Sequence, residues 1–162
     1  MDSITGRKKE GELYFKEFKN KDEKYSLDIP QNWRVVDIKE EYGYIFSDQH
    51  SQEGVLTIRS ISSLFYNLQK FSKDLIAGMK KNNGYRVIST RNIKVGDMEA
   101  IETIFKASAL VNDIETGAAI INTIIHHEPQ ARFYILSYSV LEKDMNKYAI
   151  IYARARDSFR VL

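Results

Sequence analysis

His126-His127-Glu128 is the one place in the chain where residue types that do chemistry stand side by side. Imidazole nitrogens and carboxylate oxygens bind zinc and related ions, and the same groups serve as general acids and bases. On a strand, however, neighbouring side chains point to opposite faces, so the two imidazoles cannot easily converge on one ion. Two narrower candidates remain: His127 with a carboxylate from a nearby loop, and His50 beside Asp48. Solvated histidines at a strand end explain the cluster more simply, and no metal ligand set is expected. The other acidic residues are scattered, and no local spacing pairs two of them as acid and base. Asp28 reads as a strand-face residue and Asp97 as a turn residue. No catalytic residue and no cofactor are expected.

Several familiar chemistries are missing outright. There is no cysteine, which removes thiolate zinc sites, disulfides and cysteine nucleophiles but leaves the compartment open. Neither the dinucleotide fingerprint nor the P-loop occurs, and there is no nucleophile elbow or zinc-binding helix motif. A net charge of +2 over 162 residues argues against a dedicated nucleic-acid binder. No window approaches the ~20 apolar residues of a membrane span.

The elements that would position these residues are plainer. Met98–Val111, Gly117–His127 and Arg132–Leu141 are long apolar runs, split by Asn112-Asp113 and by Pro129. Their Ile, Val, Thr, Phe and Tyr content suits a pleated surface, and the spacing predicts an antiparallel meander at the centre of one sheet. Tyr134, Leu136, Tyr138 and Val140 face one way on the last run, Phe133 and Ile135 the other, so both faces need cover. Before the meander, Leu13–Phe18 reads as an edge strand or a strap across the sheet. Tyr25–Ile29 alternates as a strand with one buried face, ended by Pro30. Trp33 reads as an aromatic plug at one end of the core. Val35-Val36, Tyr42–Phe46 and Gly54–Ile61 are further strands. Leu64, Leu68, Phe71, Leu75 and Met79 predict an apolar helical stripe, capped by Asn67 or Ser63 and stopped at Asn82-Asn83-Gly84. Met145, Tyr148, Tyr152, Ala155, Phe159 and Leu162 predict a second helix over Asp144–Leu162, with Asp144 as its cap.

At Tyr25-Ser26-Leu27-Asp28-Ile29-Pro30-Gln31-Asn32-Trp33 the chain resembles the opening of the PsbP-like and Mog1-like families: an aromatic strand, a proline, two residues and a tryptophan. Phe46-Ser47-Asp48, the helix carrying Leu68 and Leu75, the meander, and a final helix carrying Ser158-Phe159 follow in the matching order. The likeness covers about Lys24 to Leu162. It implies an α+β fold in which an antiparallel sheet has helices on both faces, an α/β/α sandwich. It also implies a non-catalytic accessory or interaction role, docking on a larger protein complex and helping its assembly or stability. No family binding residue maps onto a particular position here, so the protein partner is unidentified. The families include the photosystem II subunit PsbP, the transport factor Mog1 and many bacterial lipoproteins. Met1–Lys24 lacks a counterpart of the plant subunit's long docking segment, which makes the bacterial surface form the nearer one. The runner-up role is binding of a small ligand or metal.

Residues 1–11 are polar and without period, and are expected to be a disordered tail before a single domain over 12–162. A polar spacer of this kind suits a membrane tether, through an anchor on a natural protein longer at its N-terminus. Location at the cell surface is the expectation favoured over the cytoplasm.

Overall fold

The meander is the centre of the molecule. In the computed structural model, which describes residues 8–10, 13–39, 43–48 and 54–162, its strands are β8 (Met98–Val111), β9 (Ile114–His127) and β10 (Arg132–Leu141). Asn112 and Asp113 take φ of 52° and 62°, the left-handed pair that a tight hairpin needs and that these two residue types tolerate. Around the meander lie β4 (Trp33–Ile38), β5 (Gly43–Asp48), β6 (Gly54–Ser62) and β7 (Arg86–Val95). All seven form one antiparallel sheet in the order β4-β5-β6-β10-β9-β8-β7.

The expectation of one sheet is corrected at the N-terminus. β1 (Lys8–Glu10), β2 (Leu13–Asn20), β3 (Tyr25–Pro30) and the terminal β11 (Arg160–Val161) make a separate four-stranded sheet. Lys8–Glu10 fall within the expected tail, yet pair with β2 from Lys8↔Phe15 to Glu10↔Leu13. Residues 1–7 and 11 lie outside the described residues. β3 is buried at every position, not on one face. Its Tyr25, Leu27 and Ile29 join the main core, while Ser26 and Asp28 meet the C-terminal segment.

The two helices take alternate side chains of the same strands. α1 (Leu68–Asn83) packs Leu68, Phe71 and Leu75 against Ile101, Ile124, Phe133 and Ile135. α2 (Met145–Ser158) and the small sheet share a cluster with Leu56, Ile58, Ile121, Tyr134, Leu136 and Tyr138. Trp33 is buried in that cluster with its ring stacked on Tyr138, the plug expected from the sequence. The result is a mixed α+β fold of antiparallel sheets and two helices.

Helix boundaries follow local chemistry. Asn67 caps α1 by accepting a bond from the Lys70 N–H at 2.8 Å, and Gly84 ends it at φ 65°. Leu64, expected in the apolar stripe, sits instead in the preceding turn and is exposed. At the other helix Asp144 makes no side-chain cap bond. α2 stops at Ser158, short of the expected Leu162, because a stronger arrangement takes over. Ser158 Oγ accepts the Asp28 N–H at 2.7 Å, Arg160 and Val161 pair with β3, and the Leu162 N–H reaches the Lys24 carbonyl. Tyr152 and Phe159 are buried as expected; the Tyr148 side chain lies outside the described residues.

Candidate interaction site

Two turns of the chain meet at the strand end that carries the two histidines. β9 reaches His127 opposite Arg132 of β10, which in turn lies opposite Ser62 of β6. The chain leaves β6 through Ser63–Asn67 and leaves β9 through a single helical turn, Glu128–Gln130. The Ser63 N–H donates to the Ala131 carbonyl, tying the two turns together.

The histidines diverge, as strand geometry requires. His126 lies with its ring centroid 4.7 Å from that of Phe133, and its Nε2 is 3.1 Å from Ser63 Oγ. His127 belongs to the opposite set of β9 residues, with Nδ1 buried and lacking a hydrogen-bond partner. A cleft of about 650 Å³ opens beside them, lined by both His126 and His127 and by Asp97, Glu99, Glu128 and Arg160 among others. Several of its charges already have structural work. Arg160 donates to Glu17 Oε1 at 2.6 Å and to Ser26 Oγ at 3.0 Å, and Glu99 lies 3.5 Å from Lys94. The Glu17 carboxyl is held below its usual range, by the bonds from Arg160 and Ser26 against the opposing effect of desolvation.

The second metal candidate lies elsewhere. Asp48 faces Trp33 on β4 at the far end of the strands, near Gly54, so it cannot share a site with His127. His50 lies outside the described residues. Among the described residues no three histidine, aspartate or glutamate side chains gather closely enough to hold an ion.

One feature of this end was not picked out as a site in the sequence. Ser63–Tyr66 is a turn closed by the Tyr66 N–H on the Ser63 carbonyl at 3.0 Å. Its outer residues are Leu64, 64% exposed, and Phe65, fully exposed with φ of 66°. A bulky residue in the left-handed region costs on the order of 1–3 kcal/mol. Leu64 fits the three-and-four stripe of α1 by number, but Phe65 beside it is a large apolar residue that falls off that stripe, and that mismatch was the available signal.

Comparison with known proteins agrees with the topology. The sequence profile of the PsbP family matches residues 14–161, from β2 through β11. No curated protein matches the sequence. The solution structure of cyanobacterial PsbP (CyanoP) from Synechocystis superposes with a TM-score of 0.70 at 12% identity, over 94% of this chain and 95% of that one. The Ran-binding protein Mog1p of Saccharomyces cerevisiae gives 0.65 at 9% identity, over 92% and 96%. LpqN, a Mycobacterium tuberculosis protein involved in cell envelope biogenesis, gives 0.60 at 12%, over 93% and 92%. Identities this low speak for the fold, while the profile match over most of the length speaks for descent. The chain belongs to the PsbP family.

Proposed function

We propose that the chain is a non-catalytic accessory or interaction domain that docks on a larger protein complex and helps its assembly or stability. Membership of the PsbP family is the observation that carries this reading. Two of the superposing folds point the same way: one is a Ran-binding protein, another serves cell envelope biogenesis. In this reading α1 and α2 cover opposite faces of the large sheet, with the small sheet beside α2. A partner then meets the strand ends, where the cleft at His127 opens. Residues 12–162 act as one unit, placed outside the cytoplasm by a tether at the N-terminus. Native electrophoresis of extracts from cells that make the protein tests the role. We expect a species heavier than the 18.8 kDa chain; migration only as the free chain would overturn the docking role.

The buried, unpartnered Nδ1 of His127 in the cleft wall favours a second reading, binding of a small ligand or ion. Occupancy at ~100-fold excess over Kd would add about 2.7 kcal/mol of stability. Melts with zinc, with calcium and with chelator are expected to coincide. A stabilisation of that size, abolished in His127→Ala, would replace the first reading by the second.

A further inference from the structure

α1 separates its residues by chemistry. Leu68, Phe71 and Leu75 face the sheet, while Lys70, Lys73, Lys80 and Lys81 are exposed. At 100° per residue these lysines fall on one stripe, directed away from the apolar side. The helix holds four lysines and one acid, Asp74, a net +3 where the whole chain has +2, so the remainder is net −1. Lys70 pairs with Asp74 at 3.3 Å. Lys73, Lys80 and Lys81 have no carboxylate partner among the described residues.

This stripe is continuous with the exposed turn. Tyr66 donates its hydroxyl to Asp74, and the Lys70 ammonium lies 5.8 Å from the Tyr66 ring centroid. The apolar tip Leu64-Phe65 therefore stands at one end of a basic ridge that runs roughly 17 Å from Lys70 to Lys81. The turn's base is firm: Ser63 is bonded to Ala131, Tyr66 to Ser63, and the Tyr66 ring meets Phe71 edge-on at 5.5 Å. A left-handed backbone then presents Phe65 entirely to solvent.

We propose that this ridge docks the domain on an anionic lipid bilayer, with Leu64 and Phe65 entering the interface and the lysines meeting the headgroups. The site is separate from the His127 cleft and does not depend on which protein complex that cleft serves. Two observations select a lipid surface over a folded protein. The apolar part is a convex knob of two adjacent side chains, which a deformable interface can receive without a matching pocket. The charged part is a row of ammonium groups of which Lys73, Lys80 and Lys81 are uncompensated among the described residues, attracted by a uniformly negative plane at about fivefold in partitioning per charge.

Co-sedimentation with vesicles tests the proposal. With vesicles of about one-third phosphatidylserine in phosphatidylcholine, the full chain is expected to bind, and to release as salt rises. Binding to pure phosphatidylcholine should be at least about tenfold weaker. The pair Leu64→Ser and Phe65→Ser should lose about tenfold or more, through the apolar area no longer buried. The triple Lys73→Gln, Lys80→Gln and Lys81→Gln should lose about a hundredfold. All substituted positions are exposed, so thermal melts should match the parent. Phe65→Trp emission should shift to the blue when anionic vesicles are added. Failure of the parent chain to bind, equal binding to both lipids, undiminished binding of the Leu64/Phe65 variant, or unshifted Phe65→Trp emission would each overturn the proposal. Failure to bind lipid would give the ridge to a protein partner, and would leave native complex size as the separate test of docking.

Discussion

Glu102→Ala is expected to destabilise the fold by about 3–5 kcal/mol, the loss found when one partner of a buried ion pair is removed. Glu102 lies in the middle of β8, with its side chain 4% exposed. Oε1 accepts from Arg91 Nε and Nη2 at 3.0 and 2.7 Å, and Oε2 accepts from Arg156 Nη1 at 2.8 Å. The network thereby joins the edge strand β7, the sheet and α2. Thr123, across from Glu102 on β9, also bonds the Tyr152 hydroxyl. Burial, reinforced by the nearby Glu102 carboxylate, pushes that hydroxyl well above the usual phenol range, so it stays neutral at any ordinary pH. Removing Glu102 leaves the Arg156 guanidinium, 18% exposed, with only the exposed Asp157 of its own helix as a carboxylate partner and with none on the sheet. Arg91 is 59% exposed, and Arg91→Ala should therefore cost less than about 1 kcal/mol. Urea melts of the two variants check the contrast. Equal small losses would mean that α2 is not held by this carboxylate.

Phe159→Ala should cost a comparable amount, about 3–5 kcal/mol, for a different reason. The ring is 3% exposed, with its centroid 5.8 Å from that of Tyr25 and 5.1 Å from that of Tyr134. It stands where α2 gives way to β11, so it closes the core between the two sheets. Truncation opens a cavity among large rings that cannot easily collapse into it. A loss below about 1 kcal/mol in denaturant melts would mean that the C-terminal segment is not packed as described.

Much of this was legible in the residues, where the signals were local. The apolar runs and Asn112-Asp113 predict the meander, and Asn67 and Gly84 predict the limits of α1. The divergence of His126 and His127 follows from strand alternation alone. What the sequence withheld depends on distant pairing. Tyr25–Ile29 looks like any half-buried strand, and nothing local says that β2 and β11 are its neighbours rather than the meander. The helical period through Phe159 continues to Leu162, but bonds from Asp28 and to Lys24 redirect the last residues into a strand. Leu64 fits a three-and-four stripe by number, and only the closing bond of the Ser63–Tyr66 turn removes it. Glu102 is one carboxylate within a long apolar run, and its two arginines come from positions 11 and 54 residues away.

Photo-crosslinking in cells that make the protein tests the central claim, docking through the cleft end, most directly. A photoreactive residue in place of exposed Glu128, at the cleft, is compared with one in place of Ile114, exposed at the opposite end of β9. The account predicts a discrete heavier protein adduct from position 128 and none from position 114. No adduct from 128, or the same adduct from both positions, would contradict it.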